Sequence, residues 1–172
     1  MNVLDRNGVV FDPIWMAEFR GFFAGEGSLA VQLIHKKTNT LFRPRCRISL
    51  RLDDHFILDE FRDRIGGSLF FTKNQSSAGS PTLTWDANSL SQSKIISGIL
   101  QNSVLPAKKF DQVPLWCEAI CILDQKQDSG YGWGGRRISE ESRTRLHEIS
   151  TLLKQYKICK VQLSSSNQII SV

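Results

Sequence analysis

Residues 19–29 read FRGFFAGEGSL, and this stretch decides the fold because it joins the end of a helix to the start of a strand. The helix is predicted over residues 14–24 from its apolar side chains, and the glycines after it, which tolerate positive φ angles, predict its end. Gly21 and Gly25 are four residues apart, so they share one helix face and leave it bare for close packing. That packing gives no reason for Glu26, an acid placed where the helix gives way to the strand.

Two strands are predicted directly after this stretch. The first, residues 28–36, alternates apolar and polar side chains, and the second, residues 41–52, alternates most clearly. One face of the second strand carries polar side chains about 6.6–6.8 Å apart. These are Arg43, Arg45, Arg47, Ser49 and Arg51. Residues 27–52 contain no acid, so we expect nothing in this segment to neutralise the arginines, and Pro44 predicts an edge position or a bulged start.

The rest of the chain completes an α+β order, αββαββα, followed by two more helices. A helix capped by Asp53 or Asp54 ends at two consecutive glycines. The later elements are predicted as strands at 68–73 and 82–86 and helices at 88–101, 115–123 and 139–157. This order predicts one four-stranded antiparallel sheet with helices on one face and an open, saddle-shaped face on the other. We expect a single domain with a core at about 12–125, a helical extension at about 126–160 and a frayed tail at 161–172.

Composition places the chain among ordinary globular proteins. It has 172 residues, 41% of them hydrophobic and 23% charged, which suits one domain with its own core. No apolar run approaches the roughly 20 residues of a membrane span, and the N-terminus lacks the apolar segment of a signal peptide. Four cysteines at spacings that match no zinc pattern predict reduced thiols inside the cell. The formal charge of +5 identifies no partner by itself, so its location matters.

The open face of the predicted sheet is expected to bind nucleic acid. Arginine, lysine, glutamine, serine and threonine are the side chains that contact phosphates and base edges. The residues assigned to this face are Gln32, Lys36, Arg43, Arg45, Arg47, Ser49, Arg51, Lys73, Thr82 and Thr84. The alternative is a solvated face that only keeps the protein soluble, but such a face usually mixes charges across its strands. The lack of acids in the arginine segment therefore favours nucleic-acid binding.

The segment GFFAGEGS, residues 21–28, resembles the motif of the LAGLIDADG homing endonucleases. The resemblance covers about residues 12–125, and that family's core has the same αββαββα order. It implies a homodimer in which the motif helices of two copies pack at a two-fold axis. The interface residues that it implies are Gly21, Phe22 and Gly25. The family often has an aspartate where this chain has Ala24, and that residue is usually not the metal ligand.

The resemblance also implies that Glu26 is catalytic and binds a divalent metal ion over the scissile phosphates. Mg²⁺ takes hard oxygen ligands, and one carboxylate per chain is too few for such a site. Two Glu26 carboxylates from a dimer supply the minimum, with the backbone carbonyl of Ala24 or Gly25 as a further ligand. Mg²⁺ is therefore the expected cofactor, and Mn²⁺ or Ca²⁺ is expected to substitute for it in binding.

Two further positions of the family pattern are matched less directly. A basic residue is expected in the proline-containing loop LPAKK, residues 105–109, where Lys108 is favoured over Lys109 for polarising the phosphate or the water. The alternative is that both lysines only bind backbone phosphate. The family often has a glutamine near the end of the second strand to order solvent; this chain has none there, which leaves Arg51 or Asp53 as candidates.

The function that the resemblance implies is metal-dependent, site-specific cleavage of double-stranded DNA by an intron-encoded homodimer. The target would be long and nearly palindromic, and cleavage across the minor groove would leave short 3′ overhangs. Two alternatives on the same fold stay open: a maturase that binds intron RNA, and a DNA-binding protein without catalysis. No membrane partner is expected. The expected location is an organelle, either chloroplast or mitochondrion, or the bacterial cytoplasm.

Overall fold

The computed structural model describes residues 3–35, 37, 40–72, 81–101, 103, 105–125 and 138–165, apart from the side chains of residues 72, 107, 108 and 157–165. The elements in these ranges are α1 (Pro13–Glu26), β1 (Gly27–His35), β2 (Thr40–Arg51), α2 (His55–Ile65), β3 (Ser68–Thr72), β4 (Thr82–Ala87), α3 (Leu90–Leu100), α4 (Ala107–Asp124) and α5 (Glu140–Ser165). A short 3₁₀ turn, Leu52–Asp54, joins β2 to α2. The predicted order of an αββαββα core followed by two helices is confirmed.

The four strands form one antiparallel sheet in the order β1-β2-β4-β3. The strand β2 pairs with β1 from Thr40 to Ile48, but it pairs with β4 only from Cys46 to Arg51. Pro44 therefore has a strand neighbour on the β1 side and none in β4, which suits a residue without an N–H donor. The predicted edge position or bulged start thus holds only on the β4 side, since β2 itself lies inside the sheet between β1 and β4.

The helices pack on one face of the sheet and enclose the core. The residues that β2 buries are Phe42, Pro44, Cys46, Ile48 and Leu50. Trp15, Phe19 and Phe23 are the buried residues of α1. The Phe19 ring lies edge-on to Trp85 of β4, with 6.0 Å between ring centroids. Trp85 Nε1 donates a hydrogen bond to the Gly66 carbonyl oxygen at 2.8 Å, so its polar atom is satisfied inside the core.

The helix α1 begins as its sequence predicts but ends later. The Asp12 carboxylate accepts a hydrogen bond from the backbone N–H of Ile14 at 2.7 Å, which caps the first turn. The predicted end at Ala24 is wrong, because the helix continues through Glu26. Gly27 follows with a φ of −71°, so no left-handed residue stops the helix and the chain passes directly into β1.

Gly27 is needed for space rather than for a positive φ angle. A Cβ atom on Gly27 would lie 2.2 Å from Cδ2 and 2.5 Å from the carbonyl oxygen of Phe23. Positive φ angles occur instead between α2 and β3, where Gly66 has a φ of 94° and Gly67 one of 104°. The predicted end of the second helix at this glycine pair is therefore confirmed.

The start of α2 differs from the prediction that Asp53 or Asp54 caps it. Asp54 occupies the N-cap position, but its side chain makes no capping hydrogen bond. The Asp53 carboxylate instead lies 3.1 Å from Nη2 of Arg51. The 3₁₀ turn explains the difference, since it coils the backbone ahead of α2 and removes the extended conformation that a capping side chain needs.

The two C-terminal helices are longer than predicted. The helix α4 begins at Ala107 rather than Leu115, directly after its N-cap residue Pro106, and it contains Pro114. The helix α5 runs to Ser165, beyond the predicted end at Lys157. The sequence offers no glycine or proline in that region to stop it.

The edge strand β1 is covered by these two helices. Ser150 Oγ donates a hydrogen bond to the Val31 carbonyl oxygen at 2.8 Å, and Trp116 Nε1 donates to the Ala30 carbonyl oxygen at 3.2 Å. An uncovered edge would present unpaired backbone groups to other chains, so these contacts protect it. Among the described helices, none has a stretch that is both long and apolar enough to cross a membrane.

Candidate nucleic-acid interface and metal site

The arginines of β2 lie on the face of the sheet opposite the core, as the alternation predicts. This face carries Arg43, Arg45, Arg47 and Arg51, and the residues between them are buried. Arg43 is exposed and lies opposite Gln32 of β1. Within the described part of the chain, Arg43 has no ion pair. It is therefore a cation that remains available to a polyanion.

The face is nevertheless partly neutralised, by an acid from outside the arginine segment. Asp86 of β4 is buried and lies opposite Arg47 in the strand register. Its carboxylate accepts hydrogen bonds from Nε of Arg45 at 2.7 and 3.0 Å, and lies 3.4 Å from Nε of Arg47. The sequence carried a signal for this contact, because Asp86 shares its strand parity with Thr82 and Thr84, which were assigned to the same face.

The other predicted members of this face come together on β2 and β4. Ser49 lies opposite Thr84, with 2.8 Å between their hydroxyl oxygens. Arg51 lies opposite Thr82 and pairs with Asp53, and both charged side chains are mostly exposed. Two predicted members fall outside the described residues, namely Lys36 and Lys73. The tryptophan-containing loop at residues 130–135 also falls outside them.

A groove of about 360 Å³ lies on this face between the sheet and α5. Ser28 and Gln32 line it from β1, Arg45 and Arg47 from β2, and Lys154 from α5. The three cations outnumber the one carboxylate beside them, so the groove favours anions. Sequence reasoning missed Lys154, because a lysine in a long charged helix gives no sign of which strand its helix contacts.

Glu26 is the last residue of α1, and its side chain is exposed. A helix has partial negative charge at its C-terminus, so an acid there is unfavourable without a nearby cation, and the last turn of α1 contains no basic residue. The carbonyl oxygens of Ala24 and Gly25 lie in the same turn, beyond the reach of helical N–H partners. These oxygens and the carboxylate are the kind of donors that Mg²⁺ or Ca²⁺ takes.

The described residues contain no cluster of three His, Cys, Asp or Glu side chains close enough to hold a metal ion. A second feature of α1 bears on this. Gly21 and Gly25 face open space, since a Cβ atom on either would meet nothing within 4 Å. Phe22 beside them is half-buried, and Arg20 turns away to donate from Nε to the Ile99 carbonyl oxygen at 2.7 Å. Packing within the described chain therefore gives no reason for glycine on this face.

Lys109 reaches the turn that follows Glu26. It lies in the first turn of α4, so the predicted loop around it is the start of a helix. Its Nζ donates a hydrogen bond to the Gly27 carbonyl oxygen and lies 5.0 Å from the centre of the Phe23 ring. The side chain of Lys108, the favoured candidate in the sequence, is outside the described residues. Lys109 is thus the lysine that the structure places beside this turn.

Several solved structures are similar to this chain. I-GzeII, a LAGLIDADG homing endonuclease in complex with its DNA target, matches 78% of the chain with a TM-score of 0.55 and 25% sequence identity. I-TnaI, a homing endonuclease, matches 82% with a TM-score of 0.60 and 18% identity. I-SmaMI, bound to an uncleaved DNA target in the presence of calcium ions, matches 84% with a TM-score of 0.62 and 19% identity. No protein-family model matches the chain, and no curated protein does.

The matched proteins differ in length. The chain spans 94% of the I-TnaI chain, but only 41% of the I-GzeII chain and 45% of the I-SmaMI chain. The shared architecture is the α+β arrangement of one four-stranded antiparallel sheet with helices on its inner face. The chain therefore has the fold of the LAGLIDADG homing endonucleases.

Proposed function

We propose that this protein is a site-specific DNA endonuclease that cleaves a long, nearly palindromic duplex as a homodimer with divalent metal ions. The observation that carries the proposal is Glu26, an exposed acid at the end of a helix whose glycine face meets nothing within the described part of the chain. The basic groove on the sheet supports DNA as the substrate. Two of the similar structures, I-GzeII and I-SmaMI, are complexes with a DNA target.

The open face of α1 supports the homodimer. Gly21 and Gly25 allow another helix to approach closely, because neither carries a side chain on that face. A second copy of α1 across a two-fold axis fits such a face, since both partners then offer the same glycines. The axis would bring the two Glu26 residues near each other at the ends of their helices.

The donor set at the end of α1 fits a divalent cation. The Glu26 carboxylate would hold the ion together with the carbonyl oxygen of Ala24 or Gly25, and the negative end of the helix adds to the attraction. A bound ion supplies an activated water and neutralises charge on the leaving oxygen of the phosphodiester. The calcium ions of the I-SmaMI structure support the use of divalent metals. One carboxylate per chain supplies few ligands for a metal ion, which is a further reason to expect that two chains form the site.

A lysine of the α4 N-terminus would bind the phosphate near the metal ions. Lys109 is supported by its contact with Gly27, which follows the acid directly in the chain. An ammonium group donates N–H hydrogen bonds of the kind that phosphate oxygens accept. Lys108 is its neighbour on the first turn of the helix and stays the other candidate for this role.

The sheet would lie in the major groove of each half of the target. A two-stranded ribbon fits that groove, and its side chains then reach base edges and phosphates. Gln32, Arg43, Ser49 and Thr84 supply amide, guanidinium and hydroxyl groups on the exposed face. Lys154 adds a cation at the rim, where it would contact the DNA backbone.

The deciding experiment compares wild-type protein with Glu26→Gln on a plasmid library that carries randomised duplex inserts. In Mg²⁺ the wild type is expected to linearise a subset of plasmids whose mapped ends share one motif. Glu26→Gln keeps the side-chain volume but loses the charge that holds the metal ion, so we expect cleavage to fall below detection while metal-free binding persists. Glu141→Gln, at an exposed acid in the first turn of α5, is the matched control and should cleave like the wild type.

Cleavage by Glu26→Gln at the wild-type rate would contradict the metal assignment. A wild-type protein that binds one DNA motif but never nicks it in Mg²⁺ would contradict the nuclease and favour a DNA-binding protein without catalysis. Binding of intron RNA without DNA cleavage would favour the maturase.

A further inference from the structure

A buried ion pair holds one arginine of the exposed face in a fixed orientation. The Asp86 side chain is fully buried, and its two carboxylate oxygens accept hydrogen bonds from Nε and Nη2 of Arg45. The Arg45 side chain is only 21% exposed. A buried carboxylate without a partner is costly, so the pair is strongly held together. The guanidinium therefore has its orientation before any ligand arrives.

Among the described residues, this arrangement leaves one edge of the Arg45 guanidinium without a hydrogen-bond partner. The carboxylate occupies the edge formed by Nε and Nη2, and a guanidinium has five N–H donors in a planar fork. The terminal edge still carries one N–H from each of the two Nη atoms. Two parallel N–H donors match the O6 and N7 acceptors that guanine presents in the major groove. The groove on the exposed face, which Arg45 lines, gives a base edge access to it.

We propose that Arg45, oriented by Asp86, recognises one guanine in each half of the DNA target. This inference rests on the proposed function, because it requires the sheet to lie in the major groove. In this arrangement Arg45 contacts the base, whereas Asp86 is a positioning residue that acts through Arg45. The substrate of the proposed site is thereby narrowed to duplexes with a guanine at one fixed position in each half.

Neither neighbouring arginine is held in a fixed orientation in the way that Arg45 is. Arg43 is exposed and has no ion pair among the described residues, so it would lose more side-chain entropy on binding a base. Arg47 donates one long hydrogen bond from Nη2 to the Asp86 carboxylate at 3.4 Å, and its Nε is buried without a hydrogen-bond partner. Of the three, Arg45 is the one that the chain fixes with short bonds, so recognition through it costs the least ordering.

The strand register also places this guanine along the target. Arg45 lies opposite Ala30, and that residue comes four positions after Glu26 in the chain. At about 3.3 Å per residue, the strand covers roughly 13 Å over that interval. This length equals about four base pairs at ~3.4 Å each. We therefore expect the guanine within about three to five base pairs of the cleavage position.

The test selects binding sites from a randomised duplex library, without added metal, using the wild type and Arg45→Lys. Lysine keeps a positive charge beside Asp86 but lacks the two parallel donors. The preference for one guanine in each half-site is expected to fall about 10- to 100-fold, with little change at the other positions. Arg43→Lys is the matched control on the same strand face and should keep that guanine.

Asp86→Asn tests the positioning role through the same measurement. It removes the charge that orients Arg45, so the preference for the same guanine should weaken, with the other positions unchanged. Because the carboxylate is buried, thermal unfolding followed by circular dichroism shows whether this variant folds; if it does not, Arg45→Lys decides the proposal alone.

A motif that Arg45→Lys leaves unchanged overturns this inference and leaves the proposed function standing. A wild-type protein that enriches no motif overturns the proposed function and the inference together. A folded Asp86→Asn variant with full guanine preference overturns the role of Asp86.

Discussion

At the scale of single residues, Gly27 shows how a missing side chain sets the geometry of the candidate site. It follows Glu26 directly, and its place is filled by the Phe23 ring, which packs against the backbone where a Cβ atom would be. The carbonyl oxygen of Gly27 accepts the hydrogen bond from Nζ of Lys109. The position of the acid, the lysine and the start of β1 thus all depend on one glycine.

We predict that Gly27→Ala destabilises the protein, whereas Gly21→Ala does not. A Cβ atom at Gly27 would lie 2.2 Å from the Phe23 ring, which forces a shift of the core that costs about 1–3 kcal/mol or more. At Gly21 the added methyl meets no described atom of the same chain within 4 Å, so the unfolding free energy of the single chain should rise by about 0.5–1 kcal/mol when it is measured at a dilution where the proposed dimer has dissociated. Urea unfolding of both variants provides the measurement. Equal unfolding free energies for the two variants would show that Gly27 is not confined by Phe23.

Residue identities predicted the members of the exposed face better than they predicted its charge. Alternation along β2 placed each arginine correctly, because a strand has a fixed period of two. The pairing of Asp86 with Arg45 depends on strand register and on the position of β4 beside β2, and both are set by contacts far apart in sequence. The alternation along β4 predicted which face carries Asp86, but it could not predict which residue of β2 lies beside it.

At the scale of elements, glycine and proline predicted boundaries well only where the backbone itself required them. The end of α2 at Gly66 and Gly67 was predictable, since their left-handed backbone disfavours other residues. The start of α4 was predicted at Leu115, although the helix begins directly after Pro106 and continues through Pro114, which is tolerated beside buried neighbours such as Val113 and Trp116. Packing therefore overrode the local signal.

We predict that Gly67→Ala destabilises the turn between α2 and β3 more than Gly8→Ala destabilises the N-terminal turn. Both glycines have positive φ angles, 104° and 81°, so both changes introduce backbone strain of about 1–2 kcal/mol. Only at Gly67 would the Cβ atom also collide, at 2.8 Å from the Asp86 carbonyl oxygen and from Trp85 Nε1. Thermal unfolding monitored by circular dichroism measures the difference. A Gly67→Ala variant no less stable than Gly8→Ala would mean that the strand backbone yields to the methyl group.

We predict a pH-dependent link between α4 and α5. Arg145 donates hydrogen bonds to both carboxylate oxygens of Glu118, at 2.7 and 2.8 Å, and these bonds hold the pKa of Glu118 below its ordinary value of 4.5. The stabilisation is therefore present above that value and is lost as the pH falls through the lowered pKa. Both side chains are partly exposed, so the effect is small.

The measurement is the Tm of Glu118→Gln and of the wild type at about pH 7 and at about pH 3. The variant should melt slightly lower at the higher pH, and the difference should shrink at the lower pH, because the wild-type carboxyl becomes protonated as the pH falls through its lowered pKa. A difference of the same size at both pH values would assign the contact to packing rather than to charge.

At the scale of the whole molecule, the order of elements predicted the sheet and its covered face, because few topologies accommodate αββαββα. The placement of α5 against β1 was not predictable. It depends on contacts such as Ser150 with Val31, whose partners are separated by 119 residues, and no local pattern encodes them. The same placement brings Lys154 to the groove. The acid at the end of α1 was found from its motif, whereas the lysine beside it needed the structure.

We predict that Gly21→Glu produces a folded monomer. A charged side chain on the bare face of α1 would meet its own copy across the two-fold axis, where like charges repel. Within the described part of one chain a Cβ atom at this position meets nothing within 4 Å, so the far-UV circular dichroism should stay that of the folded protein, with the Tm lowered only by the lost association. Sedimentation velocity on the wild type and the variant measures the assembly state. Thr144→Glu, on an exposed position of α5, is the matched control and should stay dimeric.

A wild-type protein that sediments as a monomer would contradict the homodimer. A Gly21→Glu variant that stays dimeric would show that the two copies meet at a surface other than this face of α1. Loss of the folded far-UV circular dichroism signal in Gly21→Glu would show instead that this face is packed within the chain.

The buried pair of Arg45 and Asp86 also dictates the order in which new target preferences can arise. An uncharged residue at position 45 removes the nearest partner of the buried Asp86 carboxylate and leaves only Arg47 at 3.4 Å among the described cations, and breaking a buried ion pair costs about 3–5 kcal/mol, a large part of the stability of many domains. A change at Asp86 leaves a partly exposed guanidinium that water can still solvate. The acid must therefore change first or together with the arginine, and a retargeting library should vary positions 45 and 86 jointly, since one that varies position 45 alone discards its most divergent members as unfolded protein.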